Sequence, residues 1–357
     1  MNKHIYLIAF FLFVFTGLYA QPERVGQAGA TQLLINSWTK SAGFNGINVS
    51  NTDGIESVGI NVAGLGSTTS TELVFSYTNW LMGSQISINT FGVSQALGAN
   101  GGVMGLSVMA FSLGDFVRTT EAQPNGELGT FSPSYMNIGL SYARKFTEKI
   151  YVGLTGRIVT ESTPDVRASG FAFDAGIQYR TGKEDRLKLG ITLRNVGPTM
   201  KFAGDGLSGR VTFEPNNPFS TSVEIPTDDF ELPSVLSIGG SYDFFLGDKH
   251  KIGVLGGFIS NSFYYNQTGI GLQYQYSKYL MLRGSFLYEK GIFGDLGVDR
   301  YNAFTGAAVG ATFQVPFKTK REDDDGNPIF SIFALDVAYR TTNPFNGTLN
   351  IGARIAL

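Results

Sequence analysis

From residue 71 onward, hydrophobic and polar positions alternate. In Phe171-Ala172-Phe173-Asp174-Ala175-Gly176-Ile177-Gln178-Tyr179-Arg180 the odd positions are apolar and the even ones small or polar. The same scheme recurs in Leu187 to Arg194, Ile270 to Tyr276, Leu280 to Phe286 and Leu349 to Leu357. Successive side chains of a strand point to opposite faces, so each segment predicts a strand with one greasy face and one small or polar face. Fourteen such strands are predicted, near residues 71–80, 84–92, 101–112, 134–146, 150–161, 169–181, 186–196, 233–245, 251–260, 267–277, 279–290, 303–316, 330–341 and 347–357.

A soluble sandwich also alternates, so the direction of the greasy face has to be settled. The segments run about 10–12 residues, the length of a tilted strand crossing a bilayer rather than the usual 5–6. Tyrosines recur near segment ends, at Tyr77, Tyr142, Tyr179, Tyr242, Tyr276, Tyr288 and Tyr339, where an interfacial girdle lies. The polar face carries Arg157, Asp174, Lys188, Arg194, Asp243, Arg283, Glu289, Asp336 and Arg354. Those charges are costly in a dry sandwich core but suit a wet or plugged lumen. The predicted fold is all-β: a 14-stranded antiparallel transmembrane barrel over residues 71–357.

Links following even-numbered strands are mostly tight and charged, for instance Thr147-Glu148-Lys149. Links following odd-numbered strands include the longest, Gly114 to Pro133 and Gly197 to Leu232. Outer-membrane barrels pair short periplasmic turns with longer external loops, which predicts both termini on the periplasmic side of a cell outer membrane. Lys3 and His4, the apolar run Ile5 to Phe15 and Gly17-Leu18-Tyr19-Ala20 form an export signal, residues 1–20, with a core too short to span as a helix.

Residues 21–70 break the alternation. They are Gly-rich with short apolar pieces, and Asn51 or Thr52 is placed to cap a helical turn beginning at Asp53. A fourteen-stranded barrel is too wide for its own side chains to fill, so these residues predict a plug, with a disordered periplasmic tail as the alternative.

Composition then narrows the chemistry. The formal net charge is −2 and charged residues make up 16%, which gives nucleic acid no basic patch to bind. There is no cysteine and there are only two histidines, so disulfides, thiolate metal sites and a histidine metal pair are excluded. No catalytic residue, metal site or cofactor is expected. Gly176 to Lys183 approximates a phosphate loop, but it has five intervening residues where four are needed, and Glu184 follows where Ser or Thr must stand. Asp323-Asp324-Asp325-Gly326-Asn327 lacks the spacing and the distal Glu of a calcium loop, and predicts a turn.

Asn61-Val62-Ala63-Gly64-Leu65 followed by Glu72 to Leu81 resembles the PorV/PorQ family of Bacteroidota outer-membrane proteins, relatives of the FadL-type fatty-acid channels. Gly46, Asp53, Asn61, Ala63, Gly64 and Leu65 match its plug motif, and Trp80-Leu81 the end of its first strand; Val62 departs from its proline. The resemblance implies a non-enzymatic role in type IX secretion, with the translocon subunit and cargo C-terminal signal domains as partners beside outer-membrane lipid. FadL-like relatives instead pass hydrophobic molecules through the barrel wall, the alternative reading. For a secretion role, Phe202, Phe213, Phe219 and Phe230 of the longest loop are candidate partner anchors, unless they pack the loop over the barrel mouth. Lumenal charges such as Asp174 and Arg194 are expected to line a path or to hold the plug.

Overall fold

Alternating sequence becomes a closed wall in the computed structural model. Its barrel strands are β1 (Thr71–Trp80), β2 (Ile86–Ala96), β3 (Val103–Ser112), β4 (Ser134–Lys145), β5 (Ile150–Ser162), β6 (Arg167–Thr181) and β7 (Leu187–Val196). They continue as β8 (Val235–Leu246), β9 (His250–Asn261), β10 (Gln267–Tyr276), β11 (Leu280–Glu289), β12 (Phe304–Glu322), β13 (Pro328–Thr342) and β14 (Thr348–Ala356). The structure describes residues 24, 26–98, 101–120, 122–126, 128–213, 219–295, 302–322 and 328–357. The predicted export signal lies outside them.

Every strand pairs antiparallel with its sequence neighbours, and β1 pairs with both β2 and β14, Thr71 opposite Gln95 and Glu72 opposite Ala356. The fourteen-stranded sheet therefore has no free edge. Strand ends deviate from the sequence reading chiefly at β12 and β13. These extend beyond the expected ends at 316 and 330 to Glu322 and Pro328, which stand opposite each other, because continued pairing satisfies backbone groups that a loop would leave open. The Asp323 to Asn327 turn itself lies outside the described residues.

The pleat sorts the side chains as the alternation requires. Leu140, Leu154, Phe171, Phe173, Ile270, Leu272, Val309 and Phe313 stand on the outer face, Ile270 being 70% exposed. Tyr77, Tyr142, Tyr242, Tyr276 and Tyr288 join them. A belt of this kind is matched by hydrocarbon, not by water. Inward, Ser76, Thr90, Ser141, Thr155, Asp174, Gln178, Thr192, Ser241 and Asp336 are buried.

They are buried because residues 26–70 run through the lumen as short helical turns, Thr31–Leu34, Thr39–Ala42, Ile55–Gly59 and Val62–Ser67. The described part of this segment starts, at Arg24, at the rim opposite the C-terminus, here called the distal rim. Arg24 pairs with Glu231 of the β7–β8 loop at 2.8 Å and lies 4.3 Å over the Phe263 ring of the β9–β10 loop. It then descends to Thr71 at the near rim, where β14 also ends. The first described residues thus lie at the rim opposite the C-terminus, while the N-terminus itself lies outside the described residues. Period-two reasoning located β1 but said nothing of how the preceding segment threads. The helical turn expected at Asp53 begins instead at Ile55. Neither Asn51 nor Thr52 caps it; the Ile55 amide donates to a Glu72 carboxylate oxygen at 2.7 Å, so a strand side chain supplies the cap.

Candidate functional site

The inner segment is held by backbone close to backbone. A Cβ on Gly190 of β7 would lie 2.4 Å from the Val49 carbonyl oxygen, and one on Gly153 of β5 would lie 2.7 Å from that of Val62. Glycine at these wall positions lets the plug touch the strands directly. Asn61 is fully buried and works in two directions: its Nδ2 donates to the carbonyls of Val49 at 2.9 Å and Ile177 of β6 at 3.0 Å, while its Oδ1 accepts from the Ala63 amide. Gln178 Nε2 donates to the Thr52 carbonyl at 3.0 Å. Of the other motif residues, Ala63, Gly64 and Leu65 are buried in the turn that Asn61 caps. Gly46 takes a left-handed φ of +78°. Asp53 pairs with Lys40.

The predicted lumenal charges separate into distinct groups. Toward the near rim they are paired. Arg283 reaches Asp336 at 3.3 Å and donates to the plug carbonyl of Lys40 at 2.8 Å. Arg354 faces Glu72 at 3.7 Å, and Lys188 meets Asp243 at 2.8 Å. Glu56, on the plug, accepts from the Lys40 amide at 3.0 Å; burial and the nearby Asp336 raise its pKa to about 7. In the wall, Arg157 pairs with Asp174 at 2.6 Å, and Asp174 also accepts from the Asn195 amide at 2.7 Å. Asp174 therefore holds the wall rather than the plug. Arg194 donates to the Gly59 carbonyl and so does touch the plug.

Above the plug, open toward the distal rim, is a cavity of about 370 Å³. Leu34, Ile35, Ile60, Trp80, Leu287 and Phe304 give it an apolar lining, and Arg194 and Arg340 are its cations. A small cavity of about 30 Å³ continues from it between plug and wall, sharing Arg194 and reaching Arg157. On the far side of the wall lies an apolar hollow of about 530 Å³ on the outer face, lined by Leu140, Leu154, Phe173, Leu193 and Val196, with Ser141, Thr155 and Asp174 in its floor. Here the β6–β7 ladder carries an extra residue between Phe173–Val196 and Ala175–Leu193, with Asn195 at φ 59°. Such a bulge breaks regular pairing. Gly156 faces outward at this spot and leaves the hollow open. The Arg157–Asp174 pair thus stands between the inner cavities and the outer hollow.

Two of the loop phenylalanines are packed against the loop itself. Phe202 and Phe230 pack on each other, ring centroids 5.4 Å apart, over Met200 and Leu232. Phe213 and Phe219 oppose each other in the hairpin Ser208–Phe213 with Phe219–Glu224. Arg340, Asn45 and the Trp80–Phe304 pair were not singled out from sequence as lining a site. Arg340 shares the inward parity of Asp336 on β13, and that parity is the signal that points to it.

No family model matches the chain, and no curated protein does. Among solved structures it is similar to the Ralstonia pickettii toluene transporter TbuX, at 15% identity over 91% of this chain and 99% of that one, TM-score 0.51. It is also similar to the Pseudomonas putida toluene transporter TodX, at 13% identity over 87% and 96%, TM-score 0.51. A deltaS2S3 mutant of the TodX monoaromatic hydrocarbon channel aligns at 13% identity over 89% and 97%, TM-score 0.52. At such identities the likeness is one of fold.

Proposed function

We propose that this chain is a non-catalytic outer-membrane channel that passes small hydrophobic molecules sideways through its wall, with the near rim facing the periplasm. The observation that carries this reading is the succession of spaces across the barrel. A cavity of mixed polar and apolar lining opens at the distal rim above the plug, and Arg194, Arg157 and Asp174 lie between it and an apolar hollow on the lipid face. A hydrophobic solute that enters from the distal side meets a packed plug below it and a bulged strand pair beside it. Leaving into lipid takes its apolar surface out of water at the end of the route. The shared fold of two toluene transporters supports the same reading.

A secretion role, which the motif resemblance implies, needs a loop that offers anchors to a protein partner. Phe202 and Phe230 are spent on packing that loop over the barrel, so the transport reading is preferred.

Intact cells bearing the full chain in their outer membrane should take up dilute radiolabelled toluene faster than cells lacking it. Equal rates would refute the proposal.

A further inference from the structure

Within the cavity above the plug, here called the vestibule, the charges do not balance. Arg340 is 8% exposed at the distal end of β13, and among the described residues no carboxylate lies within ion-pair distance of it. Arg194 is likewise without an ion pair there, and its Nε is buried with no hydrogen-bond partner. Among the described residues the cavity has one acidic group, Glu289, which is engaged by Gln267 at 2.6 Å. Two cations against one carboxylate leave the space positive.

The Arg340 guanidinium is also held in a fixed pose. Its Nε donates to Asn45 Oδ1 at 3.0 Å, and Asn45 is itself pinned by donating to the Gly306 carbonyl at 2.9 Å. The guanidinium plane lies 3.9 Å over the Phe304 ring, which meets Trp80 edge-on at 5.2 Å. With Nε spent on Asn45, the terminal nitrogens remain as a fork, the geometry that grips a carboxylate through two parallel hydrogen bonds. A buried cation without a counter-charge is costly to keep, and a ligand anion would offset that cost. The aromatic rings beside the fork supply an apolar surface for what is attached to the anion.

We propose that the vestibule selects an aromatic carboxylate, its carboxylate on Arg340 and its ring against Trp80 and Phe304. This rests on the reading that the lumen admits hydrophobic molecules, and narrows it from neutral hydrocarbons to amphipathic anions. Glu289 disfavours dianions, so the preferred ligand carries a single negative charge.

Calorimetry on the detergent-purified full chain tests this with 3-phenylpropionate, octanoate, 3-phenylpropylamine and toluene as probes. Phenylpropionate should bind about tenfold or more tighter than toluene and the amine, the scale of a charge-assisted hydrogen-bond pair. Arg340→Gln should reduce phenylpropionate binding about tenfold or more, to the level of toluene. Asn45→Asp, which places a carboxylate on Nε, should lower phenylpropionate affinity while retaining the arginine, and it provides the test if Arg340→Gln fails to fold. Toluene binding as tightly as phenylpropionate, or variants without effect, would overturn the anion site while leaving the transport reading intact. Octanoate binding tighter than phenylpropionate would overturn the aromatic part. If no probe binds, toluene included, the transport reading falls as well.

Discussion

The two halves of the lumen treat charge in opposite ways. Toward the near rim, Arg283 has Asp336, Arg354 has Glu72 and Lys188 has Asp243, and the plug closes over them. Toward the distal rim, Arg340 and Arg194 have no such partners among the described residues and border a cavity. Similar side chains on the same wall therefore serve different ends. Both sets reach the plug, Arg283 at Lys40, Arg194 at Gly59 and Arg340 at Asn45, but only the unpaired set borders the open cavity. A buried charge that is matched in the native state is expensive to strip, whereas one left unmatched costs little to remove.

The comparison is sharpest in stability. Removing Asp336 as Asp336→Ala leaves Arg283 buried at 1% side-chain exposure without its counter-charge, and should cost about 3–5 kcal/mol. Urea unfolding in detergent, followed by heat-modifiable migration, measures it. Next comes Gly190→Val, whose Cβ meets the Val49 carbonyl at 2.4 Å. It should cost about 1–3 kcal/mol by overpacking and loosen the plug, giving conductance in planar bilayers that the native chain lacks. Arg340→Gln should shift stability by no more than about 1 kcal/mol, because only a hydrogen bond to Asn45 and a contact with Phe304 are lost. If Asp336→Ala and Arg340→Gln cost the same, the division of the lumen into a fastened and a receptive half is wrong.

The smallest effect is one of pH. Glu56 titrates near 7, raised by burial and by Asp336 with Glu72 also adverse, while Lys40 and Arg354 favour its charge. Between about 4.5 and 7 the native state retains a proton that the unfolded chain has released, so this group's contribution is complete below that window and fades as pH rises through it. Unfolding midpoints measured from pH 4.5 to 7.5 should fall with rising pH more steeply for the native chain than for Glu56→Gln. Parallel curves would count against it.

Strand positions were legible because burial on one face and lipid on the other impose period two on every segment, from Thr71 to Ala356. The inward parity of Arg157, Asp174, Arg283 and Asp336 followed from the same rule. Their partners did not, since pairing is set by register across neighbouring strands. The cap on Ile55 escaped because it comes from Glu72, 17 residues on, and the distal start of the plug because Arg24 and Glu231 are 207 residues apart. Phe202 and Phe230 read as anchors for want of knowing that Met200 and Leu232 lie beneath them. Cavities above a plug and beside a bulge leave no periodic trace, so the vestibule was invisible until the wall was closed.

The central claim, that solute leaves through the wall at the β6–β7 bulge, is tested by filling the outer hollow. In Gly156→Trp the new ring stands in the space lined by Leu140, Phe173 and Leu193 and touches neither plug nor vestibule. Uptake of radiolabelled toluene by intact cells should fall about tenfold relative to the native chain at equal surface levels of folded barrel. Unchanged uptake would place the route elsewhere and contradict the account.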